Sequence, residues 1–108
     1  MNMKRFFQFF AFTLIMLVSG PTIAFDHTGS ITLYHLNSEK SGRGVCVQMS
    51  PALPNEVSNW ACLWKTNPLY REITDLLLEG FVSRKTCKLW WAKTDVDKRA
   101  LISIAECR

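Results

Sequence analysis

The sequence predicts a mainly β fold, a five-stranded β-barrel with one α-helix between the third and fourth strands. Three observations favour it: short alternating apolar segments surround the cysteines, one amphipathic helical pattern lies in the middle, and the order is three strands, one helix, two strands. A flat sheet with one helix across it would have the same order. We expect the barrel, because closure removes the exposed sheet edges of a small domain.

The first residues, 1–24, have the pattern of a signal peptide. Two basic residues, Lys4 and Arg5, precede an apolar run over 6–19, and small residues up to Ala24 follow it. As a helix this run spans about 21 Å, which is shorter than the ~30 Å hydrocarbon layer of a bilayer. We expect cleavage after Ala24, and the alternative is an uncleaved N-terminal anchor.

The predicted mature part, residues 25–108, forms one OB-fold-like domain that is secreted or periplasmic and has no membrane span. The whole chain carries 13 Lys and Arg against 9 Asp and Glu. Two of the basic residues lie in the signal peptide, so the net charge of the mature part falls to about +2. Basic and acidic residues alternate along it, and we therefore expect no nucleic acid partner.

All four cysteines lie in the mature part, and no two of them are closer than 16 positions. That spacing fits neither a zinc site nor a redox C-x-x-C pair, so we expect no metal and no cofactor. An even number of cysteines in a small exported chain indicates structural disulfides. Antiparallel pairing of neighbouring strands predicts the bridges Cys46–Cys62 and Cys87–Cys107.

The predicted elements fit a Greek-key barrel of the OB type, with the helix closing one end. In chain order they are strands over 30–37, 45–49 and 60–64, a helix over 68–82, and strands over 86–91 and 101–107. In the first strand Ile31, Leu33 and His35 are expected on one face. His27, which precedes that strand, is expected in a loose terminus.

The helix is the clearest single element. Asn67 is a favoured N-cap, and Pro68 suits the first helical position. An apolar stripe at helical spacing should pack on the barrel; its members are Leu69, Ile73, Leu76, Leu77 and Phe81.

The residues opposite each other in the last two strands support the predicted register. Placing their cysteines opposite each other puts Lys88 opposite Glu106 and Trp90 opposite Ile104. Trp90 and Trp91 are adjacent on a strand, so their rings point to opposite faces. We expect one of the two rings in the core and the other at least partly exposed.

Aromatic side chains are the candidate binding residues, because flat rings stack on sugars and also serve in protein interfaces. Trp64 and Tyr70 lie at the corner between the third strand and the helix, and Lys88 and Trp90 lie on the fourth strand. We expect these four residues to bind the ligand. The alternative for each aromatic ring is packing beneath the helix and the loops.

No catalytic group is apparent. The serines lack a nucleophile-elbow setting, and His35 is expected to be an ordinary strand residue. Asp95 and Asp97 are expected to form a turn with salt bridges to the basic residues beside them. We expect a protein that binds and does not catalyse.

One further pattern consists of the exported leader, Thr28-Gly29-Ser30-Ile31, Val45-Cys46-Val47, Trp60-Ala61-Cys62-Leu63, the apolar helix, the cysteine strand after it and the closing strand over 100–107. This pattern resembles the small B subunits of AB5 toxins. The resemblance is in particular to the subtilase cytotoxin and pertussis toxin types. This resemblance implies an OB-fold homo-oligomer that binds cell-surface glycans, and no sugar-contacting residue is carried over from it. The alternative function is an envelope protein-interaction or inhibitory domain.

Overall fold

The computed structural model describes residues 24–108, which form five β-strands and one α-helix in the predicted order. The elements are β1 (Phe25–His35), β2 (Arg43–Ser50), β3 (Ala61–Trp64), α1 (Tyr70–Val82), β4 (Thr86–Thr94) and β5 (Ala100–Cys107). A short 3-10 turn at Asn55–Val57 lies in the loop between β2 and β3. The predicted signal peptide lies outside the described residues except for Ala24.

The five strands form one closed sheet in the order β1-β2-β3-β5-β4, with β4 returning to pair with β1. All neighbouring strands are antiparallel except β3 and β5, which run parallel. The predicted mainly β class is confirmed. The parallel contact is short, and it joins Ala61 to Ala100 and Cys62 to Leu101.

Both predicted disulfides are present. We call Cys87–Cys107 the inner disulfide and Cys46–Cys62 the outer disulfide. The register between β4 and β5 is also the predicted one, and its opposed pairs include Cys87–Cys107, Lys88–Glu106 and Trp90–Ile104.

Strand β1 begins at Phe25, well before the predicted start near Ser30. Its early residues pair with β4, and His27 lies opposite Leu89. The ring Nε2 of His27 also lies 2.7 Å from the carbonyl oxygen of Pro51. The prediction of a loose terminus at His27 is therefore wrong, because a distant strand supplies its backbone partners.

A β-bulge interrupts β1 between Ile31 and Leu33. Ile31 is buried, whereas Leu33 is 37% exposed and Tyr34 packs against the core. The predicted shared face of Ile31, Leu33 and His35 is wrong, because one extra residue at a bulge reverses which side chains point inwards.

Helix α1 begins at Tyr70, after a turn that Asn67 organises. The side-chain Oδ1 of Asn67 accepts the backbone N–H of Leu69 at 2.8 Å, and its carbonyl accepts the N–H of Tyr70 at 3.0 Å. Asn67 thus binds backbone N–H groups as a capping residue does, but one turn before the regular helix.

The buried line of α1 runs through Ile73, Leu77 and Gly80. Leu69 is 53% exposed and Phe81 is 36% exposed, so the predicted apolar stripe is wrong at both of its ends. Gly80, not Phe81, is the residue that lies against the barrel at this end of the helix.

Gly80 lies directly against the inner disulfide. A Cβ atom built on Gly80 would lie 2.6 Å from Cys87 Sγ and 2.9 Å from Cys107 Sγ. Because a real Cβ does not approach a sulfur so closely, the packing of α1 requires glycine at this position.

The barrel interior is filled by aliphatic side chains and one tryptophan. Trp91 is 3% exposed and belongs to this core, whereas Trp90 is only partly buried. The prediction that the two adjacent rings separate between core and surface is confirmed. The largest fully buried side chains are those of Leu53, Leu63, Leu77, Leu89 and Ile102.

Candidate binding site

A cleft of about 240 Å³ opens where β3 separates from β5. The parallel pairing of the two strands ends before Trp64, which is the last residue of β3. Trp64, Leu101 and Ala92 contribute apolar surface to the cleft. This cleft is therefore bounded by the end of β3 and by the paired strands β4 and β5.

Four polar side chains also line the cleft: those of Thr66, Asn67, Lys93 and Ser103. The amide of Asn67 donates to the carbonyl of Ile102 at 3.3 Å, and the hydroxyl of Ser103 donates to the carbonyl of Trp90 at 3.0 Å. Both are thereby held in place. Within residues 24–108, the side chains of Thr66 and Lys93 make no hydrogen bond, so their polar atoms are available to a ligand.

The ring of Trp64 is fixed by the turn before β2. A Cβ atom on Gly42 would lie 2.6 Å from Cζ3 of that ring, and Gly42 has a φ of +82°, which glycine adopts readily. The indole Nε1 of Trp64 is buried and has no acceptor within the described part of the chain. An unpaired buried donor is unfavourable, so the packing of Trp64 has a desolvation cost at this atom.

Tyr70 does not belong to this cleft. It is partly buried, packs against the core, and its hydroxyl oxygen would lie 2.8 Å from a Cβ on Gly44. Burial raises the pKa of Tyr34, with smaller contributions from Tyr70 and Asp75. Tyr70 thus does not line the cleft, although it is close to Trp64 in sequence.

Lys88 and Trp90 lie together on the outer face of β4. The Nζ atom of Lys88 is 4.9 Å from the centre of the Trp90 ring, which is a cation–π contact. Ile104, opposite Trp90 on β5, is 56% exposed. Because the ammonium covers one face of the indole, this ring offers less stacking surface than its exposure suggests.

A second aromatic site was not among the predicted binding residues. His35, Trp60 and Arg99, which we call the Trp60 cluster, lie over the outer disulfide. The Cζ atom of Arg99 is 4.8 Å from the centre of the Trp60 ring, and the rings of His35 and Trp60 are 5.5 Å apart. The sequence contained one indication of this site. Cys46 lies between Val45 and Val47, whose side chains fill the barrel, so the side chain of Cys46 points to the opposite face and other side chains must pack over it.

Arg43 is a buried charge that sequence reasoning also missed. It is 3% exposed, and its Nη2 atom lies 2.8 Å from Asp95 Oδ2 and 2.6 Å from Asp97 Oδ2. Asp95 does form a turn, because its Oδ1 accepts the backbone N–H groups of Asp97 and Arg99. The predicted salt bridges to neighbouring residues are wrong, since the partner is supplied by β2.

The ion pairs shift the pKa values of Arg43 and Asp97 in opposite directions. Hydrogen bonds from Arg43 and then Lys40 lower the pKa of Asp97. Burial alone would lower the pKa of Arg43, but its hydrogen bonds to Asp97 and Asp95 raise it. Both shifts favour the charged forms of Arg43 and Asp97, and the ion pairs join the turn between β4 and β5 to the start of β2.

Nowhere in 24–108 do three His, Cys, Asp or Glu side chains come together as metal ligands would. In the same range, no helix has the length and apolar character needed to cross a membrane.

Comparison with known proteins adds no relative. No protein-family model, no curated protein and no solved structure matches the chain. The resemblance to AB5 B subunits therefore stays a prediction, and function has to be argued from the geometry of the sites.

Proposed function

We propose that residues 25–108 are an exported binding module that holds a carbohydrate in the Trp64 cleft. The main support for this proposal is that the cleft combines apolar surface with polar side chains that make no hydrogen bond within residues 24–108. A sugar ring packs its C–H face on aromatic and aliphatic carbon while its hydroxyls require hydrogen-bonding partners. Trp64 and Leu101 supply the carbon surface, and Thr66 and Lys93 supply polar groups.

Export is supported by two features. The two disulfides fit an extracellular or periplasmic compartment, where such bonds form and persist. The signal-peptide pattern of residues 1–24 points to the same route.

The resemblance to AB5 B subunits favours a homo-oligomer in which several clefts act together. A cleft of about 240 Å³ is small, and it would engage one sugar unit rather than a long chain. Several such sites on one particle raise the overall affinity without any new contact. Binding strength would then depend on how densely the glycan is displayed.

A second candidate function is an envelope protein-interaction or inhibitory domain. It is favoured by the outer face of β4 and β5, where Trp90, Lys88 and the exposed Ile104 lie side by side. Aromatic and aliphatic side chains on a flat surface are typical of the central part of protein interfaces.

A glycan array combined with native mass spectrometry tests the first proposal and separates it from the second. We expect the mature protein to bind one class of glycan as an oligomer. Trp64→Ala should abolish that binding, and Trp90→Ala, the matched control outside the cleft, should retain it.

Because Trp64 also packs on Gly42, a second pair of variants guards against misfolding. Thr66→Val removes one hydroxyl from an exposed side chain in the cleft, and Thr94→Val makes the same change outside it. We expect weaker glycan binding for the first variant only. Two results would contradict the proposal. The first is a monomer that binds no glycan on the array, and the second is a loss of glycan binding in Trp90→Ala but not in Trp64→Ala.

A further inference from the structure

Within the part of the chain that the structure describes, the guanidinium of Arg99 forms no ion pair with a carboxylate. Arg99 follows a turn that contains Asp95 and Asp97, but those two carboxylates bind Arg43 and Lys40 instead. Among residues 24–108, no carboxylate oxygen lies within 4.0 Å of the Arg99 side chain. Its recorded side-chain partners are disulfide sulfurs, at 3.7 Å and 4.0 Å from Nη1, and sulfur is a weak acceptor.

The side chain of Arg99 is nevertheless held in place. Its guanidinium lies over the ring of Trp60, whose edge meets the ring of His35 at 63°. The backbone N–H of Ala100 donates to the carbonyl of Trp60 at 3.0 Å, so the two segments that carry the pair are joined. A guanidinium already ordered on an aromatic ring loses little freedom when a ligand arrives.

We propose that the Trp60 cluster is a second binding site, and that it takes a carboxylate group through Arg99. A stacked guanidinium keeps its N–H donors in its own plane, and a planar carboxylate accepts two of them side by side. Arg99 and Trp60 are both partly exposed, so such a group can reach them.

The site is separate from the Trp64 cleft and does not depend on the function proposed for it. Trp60 precedes β3 and Trp64 ends it, which places them about 13 Å apart along the strand. A carboxylate of a sugar acid or of a peptide side chain would present the same chemistry here.

Titration of the mature protein, followed through the side-chain Nε–H signals of its arginines in ¹H–¹⁵N spectra, tests the assignment. With acetate, glucuronate and N-acetylglutamate as probes, we expect a saturable shift of the Arg99 signal in the millimolar range. Arg71, an exposed arginine on α1, is the internal control and should not saturate. The relative affinities of glucuronate and N-acetylglutamate distinguish the two sources.

Two variants sharpen the result. The indole N–H signal of Trp60 should also shift and saturate in the parent protein, and Arg99→Gln should abolish that saturable shift. Trp60→Phe, followed through the Arg99 signal, should weaken binding about two- to fivefold because a smaller ring stacks less well. Equal, non-saturating shifts at Arg99 and Arg71 would overturn the proposal. Saturation by sulfate at the same concentration as by acetate would overturn the assignment to carboxylates.

Discussion

The two disulfides are alike in sequence but lie in different surroundings. Each joins directly opposed residues of neighbouring antiparallel strands. The inner disulfide lies beneath α1, against Gly80, and Cys87 belongs to the hydrophobic core. The outer disulfide lies on the other face of the sheet, beneath the Trp60 cluster. Both bridges are buried, but the inner one packs against a helix, whereas the outer one is covered by the partly exposed side chains of the Trp60 cluster.

This difference separates two contributions to stability. The bridges close loops of similar length, with sequence separations of 20 and 16, so chain entropy should favour both by about 3 kcal/mol. Cys46, Cys62 and Cys87 are all 0% exposed, so both bridges are buried, but only the inner one packs against the core cluster and the helix. If the inner disulfide stabilises the protein more than the outer one, the difference in the free energy of unfolding measures its packing against the helix.

The largest expected effect is loss of the inner disulfide. Cys87→Ala with Cys107→Ala should lower the free energy of unfolding by about 4–5 kcal/mol, because loss of the packing between α1 and the core cluster adds to the lost loop constraint. Cys46→Ala with Cys62→Ala should cost about 3 kcal/mol. Urea denaturation of both double variants measures the gap, and equal losses would show that the two surroundings do not matter.

The second largest effect on stability is expected from removing the buried charge of Arg43. Arg43→Met should lower the free energy of unfolding by about 2–3 kcal/mol, because the buried carboxylate of Asp95 loses its partner. Arg84→Met, at an exposed arginine after α1, is the matched control and should change little. Thermal unfolding of the two variants is the measurement, and a fully stable Arg43→Met protein would contradict the structural role given to this ion-pair group.

The contact between α1 and the inner disulfide can be tested directly. Gly80→Ala should destabilise the protein by about 1–3 kcal/mol despite the higher helix propensity of alanine, because the new methyl group would overlap both sulfurs. Glu79→Ala, at an exposed neighbour, should shift stability by less than about 0.5 kcal/mol. A stabilised Gly80→Ala variant would mean that the helix is not tightly packed on the bridge.

The smallest expected effect depends on pH. The pKa of Asp97 is lowered in the folded protein, so its stabilising contribution is present above the unfolded pKa, near 4, and is lost as the pH falls through the folded value. The melting temperature should therefore fall more steeply below about pH 4 in the parent protein than in Asp97→Asn. Parallel acid profiles for the two proteins would contradict the assigned pairing with Arg43 and Lys40.

Local pattern was enough to predict the fold class, both disulfides and the register of β4 on β5. Strand alternation and one amphipathic helix determine these features, and the opposed pair Cys87–Cys107 follows from them. The early start of β1 was missed because its partner, β4, is distant in sequence. The bulge in β1 and the exposure of Phe81 were missed for a related reason, since each follows from how segments pack.

The binding residues were predictable only in part. Trp64 was expected at a surface, and it does line the cleft. Arg99 was treated as one charge in a turn, since nothing local indicated that Arg43 and Lys40 would occupy the neighbouring carboxylates. The Trp60 cluster therefore emerged only from the three-dimensional arrangement.

The indole N–H signals of the four tryptophans offer the most direct test, because one ¹H–¹⁵N spectrum reports on the cleft, the Trp60 cluster, the β4 face and the core together. On addition of a glycan that the mature protein binds, we predict that the Trp64 signal shifts and saturates while that of Trp91 stays in place. A spectrum in which only the Trp90 signal responds would contradict the assignment of sugar binding to the cleft.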